Sequence, residues 1–282
     1  MFLSRRLIEL KYKIAWYVGA LLSFLLYFSG FVTLYTYLRR GYLKYPITIV
    51  LMYHRIGNNN TPDISVSTKN FDRQIAYLKR NFDIVSLDEL VENYKHNYRL
   101  GKDIVAITFD DGYKDNYLNA YPILRNYNAP ATIFLITNFI DKNPEMLNSK
   151  DILIMLNDKI TFGAHTLNHK ILSEIDHETA WLEISNSKFM LEEILQKKVK
   201  YFAYPKGKKK DFSEAIIQMV RDTGYEAAFS TENGCITNNN NNFFTLNRLG
   251  MRNYPLFVFK VRVSGIFESR LFIRFREYVR LT

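Results

Sequence analysis

Apolar and polar positions along the chain fall into three patterns. From Ile14 to Leu38, "IAWYVGALLSFLLYFSGFVTLYTYL", 25 residues pass without a charge, where about 20 suffice to cross a bilayer as a helix. After Pro46, short and nearly continuous apolar runs recur at Ile47–Tyr53, Ile104–Phe109, Ala131–Ile136, Ile160–Gly163, Val199–Ala203, Ala227–Ser230 and Phe244–Leu249. Runs of this kind are strands covered on both faces. Between them lie helical signals: Phe71, Ile75 and Leu78 at helical intervals, Ser86 to Glu89 in the form of a capping box, Asp176 as an N-cap, and Gly224 closing a helix that begins near Phe212.

Strands alternating with helices in this order predict an α/β fold: a distorted, incomplete (β/α) barrel of about seven strands, preceded by an N-terminal transmembrane helix. Chemistry in such a barrel belongs at the C-terminal ends of the strands. Asn58–Asn60 and Asn238–Asn242 read as surface loops. The expected divisions are an anchor and linker over 1–45, a main domain over 46–266 and a basic amphipathic helix over 267–282. In the last, Leu271, Phe275 and Val279 stand four apart among Arg270, Arg274, Arg276 and Arg280.

Charge changes this picture at the two ends. The formal net charge is +10, but residues 1–45 hold seven Lys/Arg and one Glu, and residues 260–282 hold six Lys/Arg and two Glu; the other 25 basic and 25 acidic residues cancel. A neutral body with basic ends argues against a nucleic-acid groove and for contact with an anionic membrane surface. The uncharged stretch exceeds a signal-peptide core and lacks a clear cleavage site, so it reads as a retained single-pass anchor. Arg5, Arg6, Lys11 and Lys13 on one side nearly balance Arg39, Arg40 and Lys44 on the other, which leaves orientation open. The single cysteine, Cys235, excludes an internal disulfide.

Two motifs carry chemistry. "VAITFDDGY", Val105 to Tyr113, ends a buried strand with adjacent carboxylates, Asp110 and Asp111, whose mutual repulsion a cation would relieve. "FGAHTLNH", Phe162 to His169, follows another strand. His165 and His169, four apart on one face of a helical turn, are near enough to bind one metal ion. Two ordinary surface histidines are the competing reading, but the chain has only five histidines, and these two stand beyond a strand end as the aspartates do.

"TFDDG" followed by "HTLNH" resembles the polysaccharide deacetylases, the carbohydrate esterase group acting on chitin, peptidoglycan and poly-N-acetylglucosamine. The resemblance implies that Asp111, His165 and His169 hold a divalent metal and that Asp110 is the general base. Zinc is the expected ion, and the ligand set also suits iron, cobalt or nickel. "YFAYPKG", Tyr201 to Gly207, is similar to the family's groove-lining turn, which makes Tyr204, Pro205 and Lys206 substrate-binding residues, with the Lys206 N–H a donor to the oxyanion. The segment lacks the arginine that many members place before this turn to orient the catalytic aspartate; Arg248 is the candidate substitute and is counted with the substrate-binding set. Leu246–Arg248 also ends in arginine where many members have a histidine acid, so His54 in "LMYHRI" is the candidate general acid, as in relatives of permuted order.

The implied function is metal-dependent removal of N-acetyl groups from an envelope polysaccharide or its lipid-linked precursor, with the domain on the outer face of the cell membrane. A glycan-binding pseudoenzyme of the same fold is the alternative, and a metal-independent glycosidase using Asp110 is a second. The seven lysines from Lys197 to Lys210 read as a solvated basic loop, or else as a positive rim for an anionic substrate.

Overall fold

The uncharged stretch near the N-terminus is not one helix. The computed structural model describes residues 17–58, 61, 63–96, 102–236 and 242–268. Within them, α1 (Tyr17–Phe28) and α2 (Phe31–Tyr37, continued by a π-helical turn to Tyr42) meet at a 66° bend. Gly30 there adopts a left-handed φ of 77°, and the Ser29 hydroxyl donates to the Leu26 carbonyl, so the helical ladder is interrupted. Among the described residues no single helix is long and apolar enough to cross a membrane; α1 and α2 meet that test only as a bent pair. The expected continuous span is corrected to this broken one, and its first residues, Ile14 to Trp16, lie outside the described residues.

The body runs from Pro46 to Asn253. It contains β1 (Thr48–Tyr53), β2 (Arg55–Ile56), β3 (Ser65–Val66), α3 (Thr68–Asn81), β4 (Asp83–Ile84), α4 (Leu87–Lys95) and β5 (Ile104–Phe109). There follow α5 (Tyr121–Asn126), β6 (Ala131–Leu135), α6 (Ser149–Leu156), β7 (Ile160–Ala164), α7 (His177–Leu195), β8 (Tyr201–Ala203), α8 (Glu214–Asp222), β9 (Ala227–Phe229) and β10 (Leu249–Gly250). The main sheet has the order β10-β1-β5-β6-β7-β8-β9, every pair parallel, with β4 added beside the start of β5. This is the curled, parallel half-barrel that the seven apolar runs predict.

The last of those runs is the one that shrinks. Of Phe244–Leu249 only the end is strand, because the segment serves both edges of the sheet: Leu246 bridges Phe229 of β9, and Leu249 pairs with Leu51 of β1. Local sequence fixes the helices. Ser86 and Glu89 form a reciprocal capping box at α4, Asp176 accepts the Thr179 N–H at the start of α7, and Ser213 caps α8. Phe71, Ile75 and Leu78 of α3 are fully buried, as their spacing requires.

The body ends at Asn253 rather than at residue 266, because α9 (Leu256–Val263) and the turn after it belong to a second unit, built with the N-terminal segment. Val261 and Ile266 are buried with Val32 of α2. Beyond Glu268 the expected C-terminal helix lies outside the described residues, as do most of the two asparagine runs.

Candidate metal-dependent active site

Parallel strands bring their C-terminal ends to one rim. His54 follows β1, Asp110 and Asp111 follow β5, His165 follows β7, and Tyr204 to Lys206 follow β8. Where β5 ends, Asp110 still donates its N–H to the Tyr53 carbonyl at 2.9 Å, whereas Asp111 turns to φ 72°. That change of backbone sends two neighbouring carboxylates to different tasks. Gly112, at φ 80°, completes the turn, and a Cβ there would meet Leu135 Cδ2 at 2.4 Å.

Asp110 is buried and gripped by Arg248, whose Nη1 and Nη2 donate to its two carboxylate oxygens at 2.6 and 2.7 Å. Arg248 Nε donates to the Ser230 carbonyl at 2.9 Å, and its guanidinium lies 5.4 Å from the Phe134 ring centre. Burial alone would raise the Asp110 pKa; the Arg248 charge, aided by His165 and His54, overrides it and holds the carboxyl at about 2. Asp110 is therefore an ionised, fixed acceptor at any ordinary pH.

Asp111, His165 and His169 form the only group of three or more His, Cys, Asp or Glu side chains among the described residues that could hold a metal, their ligand atoms all within 4.8 Å of one another. Asp111 Oδ1 lies 3.5 Å from His165 Nε2 and 3.4 Å from His169 Nε2. That oxygen is buried and has no hydrogen-bond partner, a costly state for a carboxylate that a cation would resolve. His165 Nδ1 lies 2.8 Å from the Ala203 carbonyl; donating there leaves Nε2 with its lone pair toward the cluster. Burial and the His165 charge push the His169 pKa down to about 4, against the pull of Asp111 and Asp110. A neutral imidazole is what a cation needs. The residues fit a divalent ion.

The loop that carries the histidines corrects one sequence expectation. Residues 165–169 are not a helical turn: Thr166 (φ 63°) and His169 (φ 60°) are left-handed, and the His169 N–H is taken by Thr166 Oγ1 at 2.9 Å. The loop is pinned from α7 by buried Glu183, whose carboxylate accepts the Asn168 N–H and side-chain amide, both at 2.8 Å. Sequence reasoning missed Glu183; its one signal was a carboxylate at a position of α7 that the helix buries.

The proposed substrate-binding set divides. Arg248 is fully buried on Asp110, where a substitute for the missing arginine would stand, and is not open to substrate. Tyr204 is fully buried too; its hydroxyl donates to the Phe244 carbonyl and its ring stacks on Phe212 at 4.2 Å. Pro205 is buried. Lys206 alone of the four is exposed, at φ 58°, and its charge reaches His169. Among the described residues no acceptor takes its backbone N–H. Of the neighbouring lysines, Lys208 is occupied by the Thr231 carbonyl and Lys200 by Asp88.

His54 is half-buried, and its charge acts on Asp110. The turn after the DDG motif fixes its backbone: Asn116 Nδ2 donates to the His54 carbonyl at 2.8 Å, and Asp115 accepts both Arg55 Nε and the Ile56 N–H at 2.9 Å. Asp115 and Asn116, at the start of a π-helical segment over Asn116–Ala120, were also missed.

Comparison with known proteins gives a consistent picture. Residues 97–228 match the family profile described as polysaccharide deacetylase. YxkH of Bacillus subtilis (strain 168) is 29% identical over 186 residues, 66% of this chain; the chain spans 64% of that relative's length. The poly-beta-1,6-N-acetyl-D-glucosamine N-deacetylase of Staphylococcus aureus (strain MSSA476) is 28% identical over 224 residues, 70% of this chain and 76% of that one. Among solved structures, the Streptococcus pyogenes deacetylase PplD in complex with acetate superposes with a TM-score of 0.68 at 27% identity, over 73% of this chain and 93% of its own.

Proposed function

The chain belongs to the polysaccharide deacetylase family, and we propose that it is a metal-dependent hydrolase removing N-acetyl groups from an N-acetylhexosamine glycan, either an envelope polysaccharide or its lipid-linked precursor. The observation that carries this reading is the buried, unpartnered Asp111 Oδ1 between the Nε2 atoms of two histidines, beside a second carboxylate that Arg248 holds apart from it. The activity named for the Staphylococcus aureus relative supports the substrate class. Acetate, with which PplD was solved, is the acid this reaction would release.

Asp111, His165 and His169 would hold the ion. When bound, a divalent ion in such a set polarises the amide carbonyl and acidifies a water. Asp110 takes a proton from the attacking water, and the Arg248 fork keeps its oxygens from rotating. As the C–O bond forms, the Lys206 N–H donates to the oxygen that gains charge. His54 gives a proton to the nitrogen as the C–N bond breaks, so that acetate and a free amine result. The missing arginine and the Pro-Lys-Gly variation of "YFAYPKG" are the grounds for a pseudoenzyme; Arg248 on Asp110 supports turnover instead.

The test is acetate release by the full-length, metal-loaded chain from N-acetylated glycans of several linkages. Release should stop on chelation and in Asp110→Asn, and return when zinc is restored to the chelated wild type. Undiminished release in the chelated protein would sink the metal-dependent reading.

A further inference from the structure

Among the described residues, the terminal unit considered by itself presents a largely uncovered apolar face. Val18, Leu21, Leu25, Phe28, Phe31 and Leu34 of α1 and α2 are all 40% or more exposed. The opposite face is occupied: Leu26, Tyr27 and Tyr35 pack with Val32, Val261 and Ile266, and Phe257 of α9 lies edge-on to Phe24 with ring centres 6.0 Å apart. An exposed face of this size, flanked in sequence by +6 on residues 1–45 and +4 on residues 260–282, calls for a partner both apolar and anionic.

A bilayer satisfies both terms, and the internal contacts of this unit decide how it is met. The bend at Ser29–Gly30 stands inside the uncharged stretch Ile14–Leu38, and Phe31–Tyr42 alone spans about 18 Å of a hydrocarbon core of about 30 Å. A crossing arrangement would therefore put the bend near the bilayer centre. At the bend, however, Lys260 Nζ donates to Tyr27 Oη at 2.9 Å and lies 5.1 Å from the ring centre. Tyr35 Oη donates to the Gly265 carbonyl. Crossing would carry an ammonium group and the polar end of α9 to the depth where charge is most costly. With both arms lying along one leaflet, the same contacts keep α9 on the wet side and turn the exposed face into the acyl boundary. We propose that α1 and α2, with α9 behind them, form a monotopic, in-plane anchor for an anionic lipid surface, not a single-pass span.

The experiment uses the full-length chain in a Cys235→Ser background with one environment-sensitive label at a time, on Gly19→Cys, Phe28→Cys or Gly41→Cys. Gly19 and Gly41 have open space where the new side chain would stand. Quenching by lipids labelled at graded depths should place all three at one shallow level, about 5–10 Å below the headgroups. A Phe28 label at the bilayer centre with Gly19 and Gly41 near the headgroups would overturn the proposal in favour of a span. In flotation, vesicles containing phosphatidylglycerol should retain the protein and pure phosphatidylcholine should retain less. Equal retention removes the anionic surface from the proposal. Leu25→Glu with Phe28→Glu should lower the bound fraction about tenfold or more, given the apolar area withdrawn. No flotation, with a dimer in solution, would show that a second copy covers the face.

Discussion

Arg248 and Asp110, 138 residues apart in sequence, meet as a fully buried fork-on-fork ion pair. Only the closing of the sheet, with the Leu246–Gly250 segment touching both β9 and β1, makes this pair possible. The orientation of the Asp110 carboxylate thus depends on how the sheet closes.

Arg248→Met should separate the two. Losing one partner leaves a buried carboxylate uncompensated, at a cost of about 3–5 kcal/mol. The sign with pH follows from the depressed folded-state value. In the metal-free wild type the stabilisation from Asp110 is fully present above its ordinary 3.8 and is lost as pH falls toward about 2. In the variant burial pushes Asp110 upward instead, so the gap between the two urea midpoints is widest at neutral pH and narrows on acidification. Equal midpoints at pH 7 would contradict the pair's role.

Metal content separates the two aspartates. Asp111→Ala, His165→Ala and His169→Ala should each bind substantially less zinc, whereas Asp110→Asn should bind it normally and lose turnover. Because the His169 pKa is lowered from 6.5 to about 4, protons should begin to displace the ion only as pH falls toward 4, not through 6.5. Zinc retention measured against pH checks this, and full occupancy in His165→Ala would refute the ligand assignment.

Lys206 offers its charge and its backbone N–H separately. Lys206→Gly keeps the N–H and eases the φ of 58°, so kcat on a neutral glycan should stay within about threefold. If the ammonium group steers anionic substrates, KM for those alone should rise. A collapse of kcat on the neutral glycan would mean that the side chain takes part in the chemistry.

How far these parts were legible depends on the range of the interactions. The strand carrying "DDG", the capping box at Ser86 and the cap at Asp176 are set by neighbours in sequence and could be read directly. The HTLNH spacing announced a candidate metal site but not its backbone, since a helical turn and a loop with two left-handed residues both bring His165 and His169 together; Glu183, on a different element, selects the loop. Arg248, read as the substitute for the arginine on the catalytic aspartate, lies on Asp110; Tyr204 was faced toward substrate, whereas it is buried against Phe212 by packing that the motif does not encode. Hydropathy counted 25 uncharged residues across Ser29–Gly30 and was blind to the bend, although a Ser–Gly pair is where a helix can break.

His54 follows β1 on the rim that carries Asp110. Its charge acts on Asp110, and Asn116 fixes its backbone through the same turn that carries the metal-site aspartate. If it protonates the leaving amine, His54→Ala should fold, bind zinc normally and lose about 10²- to 10⁴-fold in kcat, the span usual for a general acid. KM should hardly move, because the acid acts after the substrate is in place. Asn116→Ala leaves the imidazole present but its backbone unanchored, and a loss of about tenfold, intermediate between wild type and His54→Ala, should follow from misplacement alone. A substrate whose leaving group needs no proton distinguishes the acid from a structural histidine: on an activated acetyl ester such as 4-nitrophenyl acetate, His54→Ala should keep most of its activity while Asp110→Asn does not. Equal losses on the ester and the glycan would assign His54 to holding the site together and leave the proton donor to another group.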